Sequence, residues 1–217
     1  HQEISMTYDQ VLAWGGGTQV KLATKMGLIA DGQRRYVDCK PATIKAEIEK
    51  SLKALQTDHV DLFYMHRLDF TVPIEESAGA MAELIAQGKI GGYGLSEMSA
   101  QTLRRAHAVC PVTAVQTEYS LWTRNPEIGV LETCRELGVA LVAFSPLARG
   151  VLSNGIRNPE ALEEKDLRRT HPRFNAAHLA GAHARARPAG AGARRADQPP
   201  HGVWPALSGG HAGYYGY

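Results

Sequence analysis

The sequence predicts an α/β protein with a parallel sheet, and three observations support this. Short apolar runs that are typical of strands alternate with amphipathic stretches that are typical of helices over residues 20–144. The apolar runs are continuous rather than alternating, as in strands whose two faces are both covered. The nucleotide fingerprints of open sheets, GxGxxG and GxxxxGK[ST], do not occur, and residues 91–94 fail the spacing. We therefore predict a (β/α)₈ barrel with five readable strands.

The first two strands and helices follow from the apolar spacing. Residues 20–24 predict a short buried strand, and residues 60–65 predict the next one. Between them Pro41, tolerated at the first helical position, begins a helix with one apolar stripe. Pro73 opens the second helix, where an acidic pair suits the N-terminal dipole, and Gly88 ends it.

The remaining elements continue the alternation. Residues 90–95, 113–116 and 139–144 predict strands three, four and five. Ser99 is the expected N-cap of the helix between strands three and four. Another helix, over residues 126–138, leads to the fifth strand.

Charge and cysteine content exclude several classes of protein. The 217 residues carry 24 Lys and Arg against 22 Asp and Glu, a net charge of +2 that predicts neither a nucleic-acid nor a membrane partner. The three cysteines contain no CxxC pair, which argues against a disulfide framework or a zinc ribbon and predicts a cytoplasmic location. A metal hydrolase is disfavoured because neither HxH nor HExxH occurs, and no metal ligand is predicted.

The two ends differ in composition from the middle. Residues 1–19 show no apolar period. Residues 176–217 contain 12 Ala and 8 Gly with few large apolar side chains, so we expect a disordered tail. A basic tail for an acidic partner and an out-of-frame translation of GC-rich DNA are alternative interpretations. The predicted organisation is an irregular segment 1–19, a partial barrel 20–175 and the tail 176–217.

Polar side chains follow each of the five predicted strands, where barrel enzymes carry their chemistry. In chain order they are Lys25, His66, Ser96, Gln116 with Tyr119, and Ser145. Each has an ordinary structural explanation when taken alone: a solvated lysine, a core histidine, a hydrogen-bonding amide or hydroxyl, a packed ring. Their succession at five strand ends is the more specific signal.

The same positions lie within motifs of a known family. In order they are Leu-Ala-Thr-Lys (22–25), Tyr-Met-His-Arg (64–67), Gly-Leu-Ser (94–96), Gln-Thr-Glu-Tyr-Ser (116–120) and Phe-Ser-Pro-Leu-Ala-Arg-Gly (144–150). With them, residues 20–175 resemble the aldo-keto reductases, in particular bacterial members with His-Arg after the fourth strand. The resemblance implies a (β/α)₈ barrel that uses NADPH to reduce aldehydes or ketones, small-molecule carbonyl compounds, to alcohols.

The resemblance also implies roles for individual residues. Lys25 would lower the pKa of a catalytic tyrosine, and His66 would orient the substrate carbonyl and assist proton transfer. Ser96 and Gln116 would hold the nicotinamide amide, and Tyr119 would stack on its ring. A phosphate-wrapping loop over residues 145–150 would use Ser145, Leu147, Ala148 and Gly150.

Departures from the family pattern leave a second function open. By the resemblance the readable strands are numbers three to seven of eight, and the family's Asp and Tyr motif would precede residue 1. The last strand and the basic adenosine-phosphate contacts have no counterpart in residues 176–217, and Glu97 replaces the usual Asn. The alternative to the reductase is therefore a truncated, catalytically inactive barrel fragment or a partner-binding subunit.

Overall fold

The computed structural model describes residues 21–32, 34–153, 156, 158–175, 177–179 and 181. The chain divides into two compact units, His1–Pro146 and Leu147–Tyr217. The predicted segment 1–19 and nearly all of the predicted tail lie outside the described residues. No helix among the described residues is long and apolar enough to cross a membrane.

The first unit contains a five-stranded parallel sheet and a separate hairpin. After β1 (Ala23–Met26), an antiparallel hairpin is formed by β2 (Leu28–Asp31) and β3 (Arg34–Val37). The sheet continues with β4 (Leu62–Met65), β5 (Tyr93–Ser96), β6 (Ala114–Glu118) and β7 (Ala140–Phe144). Its order is β1-β4-β5-β6-β7, and every pair is parallel. The predicted parallel sheet with sequential strands is confirmed.

Helices connect the strands. They are α1 (Pro41–Leu55), α2 (Ile74–Ala86), α3 (Ala100–Val109) and α4 (Val130–Leu137), with a 3₁₀ turn at Asn125–Ile128. The apolar stripe of α1 is buried at Ile44, Ile48 and Leu52, as its spacing predicts. The Ser99 side chain accepts a hydrogen bond from the Thr102 amide at 3.1 Å, which confirms the predicted N-cap of α3.

The core of the first unit lies between one face of the sheet and the helices. Phe63, Met65, Leu95 and Val115 contribute from the strands, and all are fully buried. Because side chains alternate along a strand, the residues between these point to the opposite face. That opposite face carries the polar strand-end residues.

The structure corrects the bounds of one strand and one helix, and it adds a hairpin. The first strand is Ala23–Met26 rather than 20–24, because its ladder with β4 extends to the Met26–Met65 pair. The helix predicted over 126–138 is a 3₁₀ turn followed by α4, which begins only after Gly129. The hairpin β2–β3 was not predicted, since neither Leu-Ile-Ala-Asp in β2 nor Arg-Arg-Tyr-Val in β3 alternates between apolar and polar residues.

The second unit contains short elements. They are 3₁₀ turns at Ala148–Gly150, Pro159–Ala161 and Pro172–Phe174, and the helix α5 (Leu167–Thr170). Asp166 caps α5 by accepting the Arg168 amide hydrogen at 2.9 Å.

Candidate active site

Four predicted site residues lie on the same face of the sheet, towards the carboxyl ends of its strands. Lys25 pairs in register with Tyr64, and Tyr64 pairs with Gly94. Ser96, two residues further along β5, pairs with Gln116. Since in-register partners point to the same side, Lys25, Ser96 and Gln116 share the face opposite the helices. His66 follows β4 directly, and its amide donates to the Met26 carbonyl oxygen at 2.9 Å.

The Lys25 ammonium lies over an aromatic ring that was not part of the predicted site. Its Nζ lies 5.6 Å from the centroid of the Tyr64 ring, within the range of a cation–π contact. The pKa of Lys25 is lowered, first by burial and second by the positive charge of Arg67. Burial raises the pKa of Tyr64. Lys25 therefore contacts the ring of this tyrosine without making its phenol more acidic.

His66 is neutral at physiological pH. Its pKa is lowered to about 4, first by burial and then by the positive charges of Arg67 and Lys25. A neutral imidazole carries one N–H donor and one acceptor. His66 can therefore donate a hydrogen bond to a carbonyl oxygen without itself bringing charge.

Arg67 links the ends of β4 and β5. Its Nη1 donates to the His66 carbonyl oxygen at 2.6 Å and to the Ser96 hydroxyl oxygen at 3.2 Å. Ser96 is buried, with 1% of its surface exposed, so this bond also satisfies a polar atom with little access to water. Arg67 was noted in the sequence only as part of the His-Arg motif.

Glu97 takes a strained backbone conformation and turns its carboxylate towards β6. Its φ is 56°, in the left-handed region. Its amide donates to the Gln116 carbonyl oxygen at 2.9 Å. Its Oε1 accepts from the Thr117 hydroxyl at 2.9 Å and from the Glu118 amide at 2.6 Å. These hydrogen bonds of Glu97 link the end of β5 to the end of β6.

Tyr119 lies one residue after β6 and is held by a carboxylate. Its hydroxyl donates to Glu127 Oε1 at 2.7 Å, and this bond is the first cause of its raised pKa. Arg124 donates to both oxygens of Glu127, at 2.8 and 2.6 Å. The ring is half-buried, and its position is fixed from its hydroxyl end.

The predicted phosphate loop is distributed over both units. In the first unit, Ser145 has a φ of 50°. In the second, Ala148, Arg149 and Gly150 have positive φ in succession, and the Gly150 amide donates to the Leu147 carbonyl oxygen at 3.0 Å. A right-handed residue followed by a left-handed one, as at Leu147 with a φ of −94° and Ala148 with a φ of 50°, directs successive backbone N–H groups into an anion-binding concavity.

A further residue of the second unit supports this turn. Arg168 Nη1 donates to the Arg149 carbonyl oxygen at 2.9 Å, while the Arg168 guanidinium is paired with Asp166. Nothing in the sequence pattern indicated this contact, because the residues are separated by 19 positions.

Metal ligation has no support in this region. Among the residues that the structure describes, no group of three or more His, Cys, Asp or Glu side chains could hold a metal ion. The three cysteines are free and buried. Burial raises the pKa of Cys39 to about 12, with Asp69 and Asp38 adding to the effect, so this thiol is not a nucleophile at neutral pH.

A parallel α/β sheet with polar side chains at the carboxyl ends of adjacent strands is the arrangement in which (β/α)₈ barrel proteins carry their site residues. Comparison with known proteins gives the family. The family model described as "Aldo/keto reductase family" matches residues 11–192. The chain belongs to the aldo/keto reductase family.

Solved structures of bacterial aldo-keto reductases are similar to the chain. One is the glycerol dehydrogenase AKR11B4 from Gluconobacter oxydans, with 29% identity and a TM-score of 0.72 over 80% of this chain and 54% of that one. Another is the aldo-keto reductase AKR11C1 from Bacillus halodurans in its holo form, with 31% identity and a TM-score of 0.59 over 70% and 50% of the two chains. The chain spans about half the length of these structures.

Proposed function

We propose that this chain carries the lysine, the histidine and the nicotinamide contacts of an NADPH-dependent oxidoreductase that reduces aldehydes or ketones to alcohols. The observation that carries the proposal is the placement of Lys25, His66, Ser96 and Gln116 around one end of the sheet. Family membership supports it, as does the similarity to a protein named a glycerol dehydrogenase, whose name denotes the reverse reaction.

The residues present fit a nicotinamide carboxamide, whose oxygen needs a hydrogen-bond donor and whose NH₂ group needs an acceptor. Because the Ser96 hydroxyl oxygen accepts from Arg67, its own hydrogen is available for a second partner. The half-buried Gln116 side chain offers both an N–H donor and a carbonyl acceptor. Tyr119, held at its hydroxyl, is the proposed stacking ring.

The chain's own residues act on the substrate oxygen. A bound nicotinamide supplies hydride chemistry, so the protein must polarise the carbonyl and deliver a proton. His66 donates a neutral hydrogen bond that orients the carbonyl oxygen. The Lys25 ammonium stabilises the negative charge that develops on that oxygen, and its lowered pKa favours proton transfer from it.

Tyr64 is excluded from the role of proton donor in this proposal. Burial raises its pKa, and Lys25 lies over its ring. The tyrosine that a lysine activates in this family therefore has no counterpart in Tyr64. Of the described groups, the Lys25 ammonium is proposed to pass its proton to the alkoxide and become a neutral amine, while neutral His66 assists by holding the oxygen with a hydrogen bond.

Pyrophosphate contacts are proposed for each unit separately. In the first unit the candidate is the Ser145 hydroxyl. In the second unit the candidates are Leu147, Ala148 and Gly150, supported by the step from a right-handed residue at 147 to a left-handed one at 148. Because the Gly150 amide already donates to Leu147, the proposed role of Gly150 is to allow a phosphate to approach the backbone.

The test measures cofactor binding and turnover by the full chain. We expect saturable NADPH binding that is tighter than NADH binding, and aldehyde-dependent loss of reduced nicotinamide absorbance. Lys25→Met and His66→Ala should each lower turnover on the order of 100-fold. Lys50→Met, a change of the same type on the exposed face of α1, is the matched control. Absence of NADPH binding, together with defined hetero-oligomers, would instead support a partner-binding subunit.

A further inference from the structure

Among the residues that the structure describes, partners hold the Arg67 guanidinium from one side only. Both of its hydrogen bonds use Nη1, and both acceptors are neutral: the His66 carbonyl oxygen and the Ser96 hydroxyl. A guanidinium has five N–H donors in a planar fork. The bonds through Nη1 therefore fix the plane of Arg67 and leave its other edge for another acceptor.

No carboxylate balances this charge in the part of the chain that the structure describes. Five other arginines there form ion pairs with Asp or Glu: Arg104, Arg105, Arg124, Arg135 and Arg168. Neither Arg67 nor Lys25 forms one with a described residue, although Arg67 is half-buried. A partly desolvated cation without a counter-charge is costly, which makes it an attractive site for an anion.

The positive charges lie close enough to affect one another. Arg67 contributes to the lowered pKa of Lys25, and Arg67 and Lys25 both contribute to the lowered pKa of His66. The site therefore combines two cations with one neutral imidazole. An anion bound by Arg67 would lie beside the group that orients a carbonyl.

We infer that the site takes a carbonyl substrate that also carries a carboxylate, with the carboxylate bound by Arg67 and the carbonyl oxygen facing His66. This inference rests on the proposed function and adds the substrate class to it. Arginine is suited to this role because its fork matches the two oxygens of a carboxylate. Lys25 adds a second positive charge on the same face of the sheet.

The test compares an oxo acid with its neutral ester. Binding of succinic semialdehyde and of its methyl ester to the full chain is measured by calorimetry, for the native sequence and for Arg67→Gln. We expect the oxo acid to bind at least about tenfold more tightly than the ester, as a charge-assisted pair would give, and Arg67→Gln to abolish that preference. Arg105→Gln is the matched control, because Arg105 is exposed and paired with Glu75.

A second variant distinguishes loss of the carboxylate contact from a folding defect. Arg67→Lys keeps the charge without the fork, and we expect it to retain part of the preference. Circular dichroism establishes that each variant is folded. Equal affinities for acid and ester in the native chain would overturn the inference. The inference would also be overturned if Arg67→Gln lost affinity for NADPH but kept its preference for the acid. In that case Arg67 would bind the cofactor.

The outcomes separate this inference from the proposed function. If acid and ester are reduced equally well, the reductase stands and the carboxylate site is wrong. If the acid binds through Arg67 while NADPH is neither bound nor consumed, the carboxylate site stands and the reductase is wrong for this chain.

Discussion

The ring of Tyr64 lies against Gly94 so closely that a Cβ atom at position 94 would be 2.3 Å from the ring. The two residues are partners in the β4–β5 ladder, and Lys25 is the partner of Tyr64 in the β1–β4 ladder. The glycine therefore makes room for the ring beneath the Lys25 ammonium. The position of the candidate catalytic lysine depends on a residue that has no side chain.

Gly94→Ala should destabilise the fold strongly, although it adds only one methyl group. The added methyl group would meet the Tyr64 ring, and the Ala114 carbonyl oxygen lies 3.0 Å from its position. We expect a loss of about 1–3 kcal/mol in the free energy of unfolding, typical of overpacking. Denaturant unfolding measures it, and the double variant with Tyr64→Ala should recover part of the loss. Gly79→Ala, where the new methyl meets nothing within 4 Å, is the control, and an equal loss there would contradict this explanation.

The fold was largely predictable because its signals are local. Continuous apolar runs and the stripe of α1 depend only on neighbours in the sequence, and the Ser99 cap depends on residues three positions apart. The hairpin β2–β3 was not predictable in this way. β2 begins with three apolar residues and β3 with two arginines, so neither strand shows a hydrophobic period, and the two strands pair with each other in a separate sheet.

The candidate site was predictable in its positions but not in its contacts. Strand ends identify Lys25, His66, Ser96 and Gln116, because the register of a parallel sheet brings them together. The roles of Tyr64 and Arg67 depend on side-chain directions across strands about 30 residues apart, as in the Arg67–Ser96 bond with a separation of 29. The one available signal was the Tyr-Met-His-Arg motif, which placed both residues beside the histidine.

The stability of the fold should fall as the solution is acidified through the titration range of His66. Its pKa is about 4 in the folded chain against an ordinary 6.5, so the unfolded chain binds more protons between these values. Stability is therefore full above about pH 6.5 and is lost as the pH falls towards about 4, by about 1–3 kcal/mol for a partly solvated imidazole. Urea unfolding across this range measures the loss. His66→Gln should flatten this part of the profile, and an unchanged slope would show that another group is responsible.

Ser99→Ala should destabilise α3 by removing its N-cap. The Ser99 hydroxyl accepts from the Thr102 amide at 3.1 Å and lies 2.9 Å from the Thr102 hydroxyl. The expected cost is about 0.5–2 kcal/mol in the free energy of unfolding. Thermal melts compare this variant with Ser51→Ala in the interior of α1, where alanine is the better helix former and no loss is expected.

Glu97 should contribute to the stability of the fold through its hydrogen bonds rather than through its charge. Its Oε1 accepts from the Thr117 hydroxyl and the Glu118 amide, and a glutamine can present the same oxygen to both donors. We expect Glu97→Gln to cost less than about 1 kcal/mol, whereas Glu97→Ala should cost about 1–3 kcal/mol because the two donors lose their acceptor.

Glu97→Asn tests the backbone separately. Asparagine tolerates the φ of 56° better than most residues but is one methylene too short, so its stability should fall between the other two. Equal unfolding free energies for Glu97→Gln and Glu97→Ala would mean that the link between β5 and β6 depends on the backbone bond from Glu97 to Gln116 alone.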